Sequence, residues 1–268
     1  ANLVNNATWQ DSCLNEGFTH SFENRIMEAL YGPDRARIEA ELDWDGMQAD
    51  FAEVGGAGAD ATKLYGQPGG QIEYFKGAIF LRTVETLAGR ERWDRYLRSY
   101  FDRHAFQPMT SARFLADLRQ HLVKGDKALE EKLQLERWVY QPGLPANAAK
   151  PDPKAFAEVD KAAQRFAGGG PLDAMAWGKW NTAERMRFLN RLPRKLAKDR
   201  LDALERGFGL NTIGNNEVRF AWLELAIANR YDPAVPSIEQ FVTSQGRRKF
   251  VRPLIEALAE DKAWGRPI

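Results

Sequence analysis

Three polar residues share one stripe of the first predicted helix. Glu16, His20 and Glu23 are spaced i, i+4 and i+7, which places them on one face of an α-helix. Two carboxylates and an imidazole can ligate a metal ion or share a proton, although a solvated or salt-bridged helix face produces the same spacing more often. Gly17 adds a second signal, because a glycine inside a helix costs about 1 kcal/mol relative to alanine. We therefore expect some group to approach the helix backbone closely next to Glu16.

A tyrosine occupies a second position suited to chemistry. Tyr74 opens the run Tyr74-Phe75-Lys76-Gly77, which follows a Gly- and Pro-rich loop and begins a helix. A phenol at such a junction can present its hydroxyl to a pocket as an acid or as an oxyanion donor. A packed ring with a hydrogen-bonded tip is the commoner use of a tyrosine and stays open as the alternative.

The third candidate is a cluster of cations near the end of the chain. Arg247, Arg248, Lys249 and Arg252 stand within six residues at a predicted helix start. Positive charges there oppose the helix dipole, which favours anions at that end. The cluster would be explained by an external anion such as a carboxylate. A solvated basic surface is the alternative.

The elements that must position these residues are helices. Helical periodicity recurs along the chain and strand-like alternation is almost absent; the helices that carry the first two candidates are predicted at Thr8 to about Tyr31 and at Ile72 to Leu87. Four prolines in the twelve residues from Pro142 to Pro153 predict a linker at 142–152, between one domain at 1–141 and another at 153–268. Short helices joined by short turns in the second domain indicate stacked pairs, as in an α-solenoid.

The composition is that of a folded, soluble protein. The chain has 268 residues, of which 44% are hydrophobic, and 38 Lys and Arg balance 37 Asp and Glu. Such a balance provides no basic stripe for phosphate neutralisation, so nucleic acid is not an expected partner. No apolar run reaches the roughly 18 residues that span a bilayer, so a membrane is not expected either. The single cysteine, Cys13, leaves the compartment open, and the cytoplasm is favoured.

Several segments, taken in order, resemble the M1 family of zinc metallo-aminopeptidases, in its leukotriene A4 hydrolase and aminopeptidase B branch. The segments are Thr8 to Glu23 with Leu14-Asn15-Glu16-Gly17-Phe18 at its centre, Tyr74 to Gly77, Trp138 to Pro145, Leu210-Asn211, Asn215 to Phe220 and Gly246 to Pro253. Their order over nearly the whole chain is more specific than any single motif. The resemblance implies a mainly α fold, in which the helical half of a thermolysin-like catalytic domain precedes an α-superhelical domain of armadillo or HEAT type.

The resemblance also implies roles for the candidate residues. Glu16 matches the third zinc ligand, and Glu23 matches a carboxylate outside the ligand set, further along the same helix. Tyr74 matches the tyrosine that stabilises the tetrahedral oxyanion during peptide hydrolysis. Arg247, with Lys249, matches the cations that hold the carboxylate of the substrate.

One part of the family pattern is missing from the sequence. The His-Glu-x-x-His segment, which supplies two zinc ligands and the general base, does not occur in it. A catalytic zinc site needs three protein ligands and an activated water, and one carboxylate cannot provide them. We therefore expect the C-terminal portion of a zinc aminopeptidase that removes N-terminal residues from short peptides. By itself this stretch is expected to be inactive and not to hold zinc tightly, because a missing N-terminal portion of the same protein would complete the site.

Two other interpretations stay open. The chain could be a non-catalytic helical scaffold, derived from the family, that binds peptides or protein partners. It could also be a self-contained metal protein that uses Glu16, His20 and Glu23.

Overall fold

Two compact units make up the chain. The computed structural model describes residues 3–152, 154–172 and 174–268. The first unit ends at Ala155 and the second begins at Phe156. Helices provide nearly all the regular structure of both units, as the sequence predicts. Within the described ranges, no helix has both the length and the apolar character needed to cross a bilayer.

The first unit is built around three long helices. Its helices are α1 (Cys13–Tyr31), α2 (Pro33–Glu53), α3 (Ile72–Ala88), α4 (Arg90–His104), α5 (Ser111–Asp117), α6 (Lys127–Leu133) and α7 (Leu135–Tyr140), and a π-helical segment at Leu118–Val123 continues α5. Strands β1 (Asn5–Asn6) and β2 (Pro108–Met109) form a short parallel pair. Thr8 does not start α1, because its hydroxyl donates a 2.6 Å hydrogen bond to Asp11 and opens a 3-10 turn before the helix.

Helices α1 and α3 cross with their backbones in direct contact. A Cβ atom placed on Gly17 would lie 2.9 Å from the Cα of Gly77, and one placed on Gly77 would lie 2.7 Å from the Cα of Gly17. Real Cβ atoms do not come so close, so each glycine makes room for the other. The close approach predicted next to Glu16 is therefore confirmed, and the approaching group is the backbone of α3.

Aromatic side chains pack around this crossing. Phe18 of α1 stacks on Tyr100 of α4, with ring centroids 5.8 Å apart, and meets Phe114 of α5 edge-on at 5.4 Å. Phe80 of α3 stacks on Trp138 of α7 at 5.4 Å. Such rings bury large apolar areas and prefer these offset and edge-on geometries. The outer faces of α1 and α3 are thereby fixed to the rest of the unit.

The segment predicted to be a linker packs against the first unit. The Gly143 amide donates to Thr62 Oγ1 at 2.9 Å, and the Ala149 amide donates to Thr83 Oγ1, also at 2.9 Å. Asn147 accepts a 3.1 Å hydrogen bond from the indole of Trp138. Residues 142–152 thus lack regular structure but follow a defined path, because side chains and amides of the unit satisfy their backbone groups. The domain limits stay a prediction, and Pro153, the predicted start of the second domain, lies outside the described residues.

The second unit stacks short helices in an α-superhelical arrangement. Its helices are α8 (Ala157–Ala167), α9 (Ala174–Lys179), α10 (Thr182–Arg191), α11 (Lys198–Phe208), α12 (Asn216–Ala228), α13 (Val235–Ser244) and α14 (Arg248–Glu260). Alternate helices pack on one another: α10 lies against α8 and α12, and α12 lies against α14. Helix starts are capped by Asn181, in a capping box with Glu184, and by Asn215. This is the stacked arrangement that the short helices predict.

Gly17→Ala should destabilise the first unit by about 2 kcal/mol or more, because the new methyl group would overlap the backbone of α3 and force the helices apart. The measurement is the free energy of unfolding from urea titration. Gly58→Ala is the matched control, since a Cβ there meets nothing within 4 Å. It should change stability by less than about 0.5 kcal/mol. Equal stability of the two variants would contradict the crossing described above.

Candidate active site

Glu16 and Tyr74 lie side by side at the crossing of α1 and α3. Glu16 precedes Gly17 on α1, and Tyr74 lies one helical turn before Gly77 on α3, so the glycine contact brings the two side chains together. The Tyr74 hydroxyl faces the Glu16 carboxylate, to which it can donate a hydrogen bond. Partial burial, then that hydrogen bond and the charges of Glu16 and Glu73, raise the pKa of the Tyr74 phenol. The phenol therefore keeps its proton at neutral pH and can act as a hydrogen-bond donor.

His20 lies one turn beyond Glu16 on α1 and belongs to a separate polar cluster. Its Nε2 atom is 2.7 Å from Oδ1 of the buried Asp43 of α2. Asp43 also accepts hydrogen bonds from Asn24, at 2.7 Å, and from Arg82, at 3.2 Å. Burial by itself lowers the pKa of His20, but the hydrogen bond and charge of Asp43 outweigh it, so the pKa is raised. His20 is thus a hydrogen-bonding partner of a buried carboxylate.

Glu23 lies at the exposed edge of this cluster. Its side chain is 67% exposed, and its nearest charged partner is Nδ1 of His20 at 3.5 Å. Within the described residues, no three His, Cys, Asp or Glu side chains lie together in a way that could hold a metal ion. The structure therefore gives no support to a metal site made from Glu16, His20 and Glu23 alone.

The other two histidines surround a different carboxylate. Asp117, at the end of α5, accepts 2.8 Å hydrogen bonds from the hydroxyl of Tyr96 and the guanidinium of Arg103. Nε2 of His104 is also 2.8 Å from Asp117, and Nε2 of His121 is 3.9 Å away. Burial raises the pKa of Asp117, but the hydrogen bonds from His104, Arg103 and Tyr96 lower it overall. This network ties α4 to α5, so these histidines have a structural role.

Arg247 and Lys249 lie in the second unit, at the beginning of α14. Both side chains are exposed, and both cationic groups lie over the ring of Phe250, at 5.6 and 4.7 Å from its centroid. Lys249 also forms an ion pair with Glu217 of α12. Across the described parts of the chain Arg247 has no carboxylate partner, so of the two it is the more available to an external anion.

Lys76 is a residue of this region to which sequence reasoning gave no role. It follows Tyr74 by two positions, and its side chain is fully buried. Its Nζ atom donates to the carbonyl oxygens of Thr62, at 2.8 Å, and Gln141, at 3.1 Å. Burial lowers its pKa to about 7, and the nearby Cys13 opposes this shift. The available signal was its place on the apolar stripe of α3, between Ile72 and Ile79, where a solvated lysine does not belong.

Comparison with known proteins places this geometry in a family. The family model described as "Peptidase family M1 domain" matches residues 1–138, the region that holds Glu16 and Tyr74. The chain belongs to peptidase family M1. A second model, "Leukotriene A4 hydrolase, C-terminal", matches residues 180–266, which include Arg247 and Lys249. The resemblance found in the sequence is therefore confirmed, for the family and for its leukotriene A4 hydrolase branch.

Individual M1 relatives agree with this placement. Leucine aminopeptidase 2 of Yarrowia lipolytica is 26% identical over 96% of this chain and 44% of its own length. Leukotriene A-4 hydrolase of Xenopus laevis is also 26% identical, over 96% of this chain and 44% of its own length. This M1 chain thus spans less than half the length of the curated relatives that it matches.

Solved M1 structures confirm the fold. Yeast LTA4 hydrolase in complex with bestatin superposes with a TM-score of 0.86 at 22% identity, over 98% of this chain and 48% of that one. Native leukotriene A4 hydrolase from Saccharomyces cerevisiae superposes with a TM-score of 0.84 at 22% identity, over 99% of this chain and 48% of that one. The predicted fold class, a helical catalytic half followed by an α-superhelical domain, is therefore confirmed.

The free energy of unfolding should rise between pH 7 and about 8.5, because unfolded Lys76 binds a proton there that the folded chain does not. Burial holds its pKa at about 7, against 10.5 for an ordinary lysine. Urea titrations at several pH values measure the slope of the free energy of unfolding against pH. Lys76→Met should flatten it relative to the wild-type chain, whereas Lys132→Met, at an exposed site of α6, should leave it unchanged. Equal slopes in the wild type and in Lys76→Met would contradict the shifted pKa.

Proposed function

We propose that this chain forms the C-terminal part of a zinc-dependent M1 aminopeptidase that removes N-terminal residues from short peptides. The observation that carries the proposal is the Tyr74 hydroxyl, held protonated beside the Glu16 carboxylate at the crossing of two helices. Membership of family M1 and the name of the Yarrowia relative, leucine aminopeptidase 2, support the peptide substrate. The Tyr74 hydroxyl is the group that experiment should test first.

Tyr74 would stabilise the oxyanion that forms when the scissile carbonyl is attacked. A phenol that keeps its proton can donate a hydrogen bond to developing negative charge, and a donor preorganised for this purpose accounts for a large part of catalysis. Glu16 supports this role by position, since its carboxylate lies beside the phenol.

Zinc is proposed as the metal of the complete enzyme, with Glu16 as one of its ligands. The described residues do not form a zinc site by themselves: His20 is bonded to Asp43, and no other group of three metal-binding side chains occurs among them. A catalytic site of this kind takes three protein ligands. We propose that the other ligands and the general base come from the part of the M1 proteins that this chain does not match, and that the chain alone is inactive.

Glu23 and the basic start of α14 complete the proposed assignments. Glu23 would support the zinc site from outside the ligand set, since it lies two turns from Glu16 on the same helix. Arg247, with Lys249, would bind the C-terminal carboxylate of a short peptide. The charge of Lys249 is partly balanced by Glu217, so Arg247 would make the larger contribution.

Tyr74→Phe in the full-length protein should lower kcat by about 10²- to 10³-fold with little change in KM. The substitution removes one hydrogen-bond donor that acts on the transition state and leaves the aromatic packing intact. Steady-state hydrolysis of an amino-acid anilide measures both constants. Tyr31→Phe, at the exposed end of α1, is the control and should behave as wild type. Unchanged turnover of Tyr74→Phe would refute the assigned role, whereas no turnover by the wild-type full-length protein would favour a non-catalytic scaffold.

Arg247→Ala in the same protein should raise KM for short peptides with a free carboxylate by about tenfold, because one charged hydrogen bond is lost. Peptides with an amidated C-terminus should be hydrolysed as before. The comparison is made on pairs of peptides that differ only in this group, with Arg248→Ala as the neighbouring control. An equal loss on both kinds of peptide would show that Arg247 does not bind the carboxylate.

A further inference from the structure

A pocket in the second unit has no part in the proposed catalysis. It has a volume of about 760 Å³ and lies among the end of α12, the far half of α14 and the loop between α10 and α11. Apolar surface comes from Ile227, Pro253 and Ala257, and the charged residues of the lining are Arg194, Lys195, Glu224, Arg230, Glu260, Asp261 and Lys262. A concave site in which charged groups converge beside an apolar wall suits a small molecule that carries both kinds of group.

Specific contacts hold the walls of this pocket in place. Asn229, just after α12, accepts a 2.8 Å hydrogen bond from the Leu196 amide and donates one of 2.8 Å to the carbonyl of Arg194. The loop that carries Arg194 is thereby fixed to the end of α12. On the opposite side, Nε of Arg230 lies 2.6 Å from the Asp261 carboxylate. The pocket is thus bounded by a hydrogen-bonded loop on one side and by a side-chain ion pair on the other.

Glu224 is the unusual group in this pocket. In the described parts of the chain its carboxylate has neither a hydrogen-bond donor nor an ion-pair partner, and burial raises its pKa while the charge of Arg194 opposes that rise. Arg194 donates to the carbonyl of Leu189 at 2.9 Å and does not form an ion pair with Glu224. Glu224 and Arg194 therefore face the same cavity without pairing with each other, and a half-buried carboxylate without donors is costly.

We propose that this pocket binds a small zwitterion of the α-amino acid class with an apolar side chain. The ammonium group would bind Glu224, and the carboxylate would bind the guanidinium of Arg194. The side chain would lie on Ile227, Pro253 and Ala257. A ligand that carries both charges satisfies both protein groups at once, which an anion or a cation alone does not. The inference does not depend on the proposed peptidase function.

The test is a calorimetric titration of the 268-residue chain with L-phenylalanine, up to about 20 mM, since a ligand of this size binds with roughly millimolar affinity. Two derivatives each remove one charge: N-acetyl-L-phenylalanine lacks the ammonium group, and L-phenylalaninamide lacks the carboxylate. Each should bind at least about tenfold more weakly than L-phenylalanine. Equal binding of all three, or no saturable binding of L-phenylalanine, would overturn the proposal.

Variants show whether the binding occurs in this pocket. Glu224→Gln should weaken binding of L-phenylalanine at least about tenfold and leave the weaker binding of N-acetyl-L-phenylalanine unchanged. Arg194→Gln should likewise weaken binding of L-phenylalanine at least about tenfold and leave the weaker binding of L-phenylalaninamide unchanged. Glu256→Gln, at an exposed position of α14, is the control and should bind as wild type. Wild-type affinity in Glu224→Gln would place the ligand elsewhere and overturn the assignment.

Discussion

The contact between Gly17 and Gly77 is the constraint on which the first unit depends. Where two helix backbones touch, no side chain lies between them that could change its conformation. The position at which α1 and α3 cross is therefore fixed by direct backbone contact. Glu16 and Tyr74 flank that contact, which explains how two groups far apart in sequence come to lie side by side. The aromatic stacking of Phe18 and Phe80 then holds the pair of helices from outside.

Local sequence patterns predicted the elements of this molecule better than the contacts between them. Helical periodicity identified α1 and α3, and the cost of a helical glycine identified a close approach at Gly17. Neither pattern could show that Gly77 is the residue that contacts Gly17, because the spacing of residues within one helix does not reveal which other helix packs against it. The burial of Lys76 and Asp43 was missed for a related reason: polar residues were expected to face water, and only the tertiary partners show why these do not.

The two units use charge differently. In the first unit, the buried carboxylates Asp43 and Asp117 are each surrounded by several donors, so the charges are balanced within the protein. In the second unit, Arg247 and Glu224 lack partners of opposite charge among the described residues, although the family resemblance drew attention only to the first of them. Balanced charges stabilise and orient helices, whereas unpaired ones at a surface or in a cavity are available to a ligand.

Lys76 fastens two loops to α3 through carbonyl oxygens, and among the described residues no carboxylate forms an ion pair with it. An uncharged amine has two N–H bonds, one for each of the two carbonyls, and its pKa of about 7 makes that form accessible. Dissolved salt weakens attractions between exposed charges but has little effect on hydrogen bonds between uncharged groups. The attachment of residues 62 and 141 to α3 should therefore depend little on ionic strength, in contrast to the surface ion pairs elsewhere on the molecule.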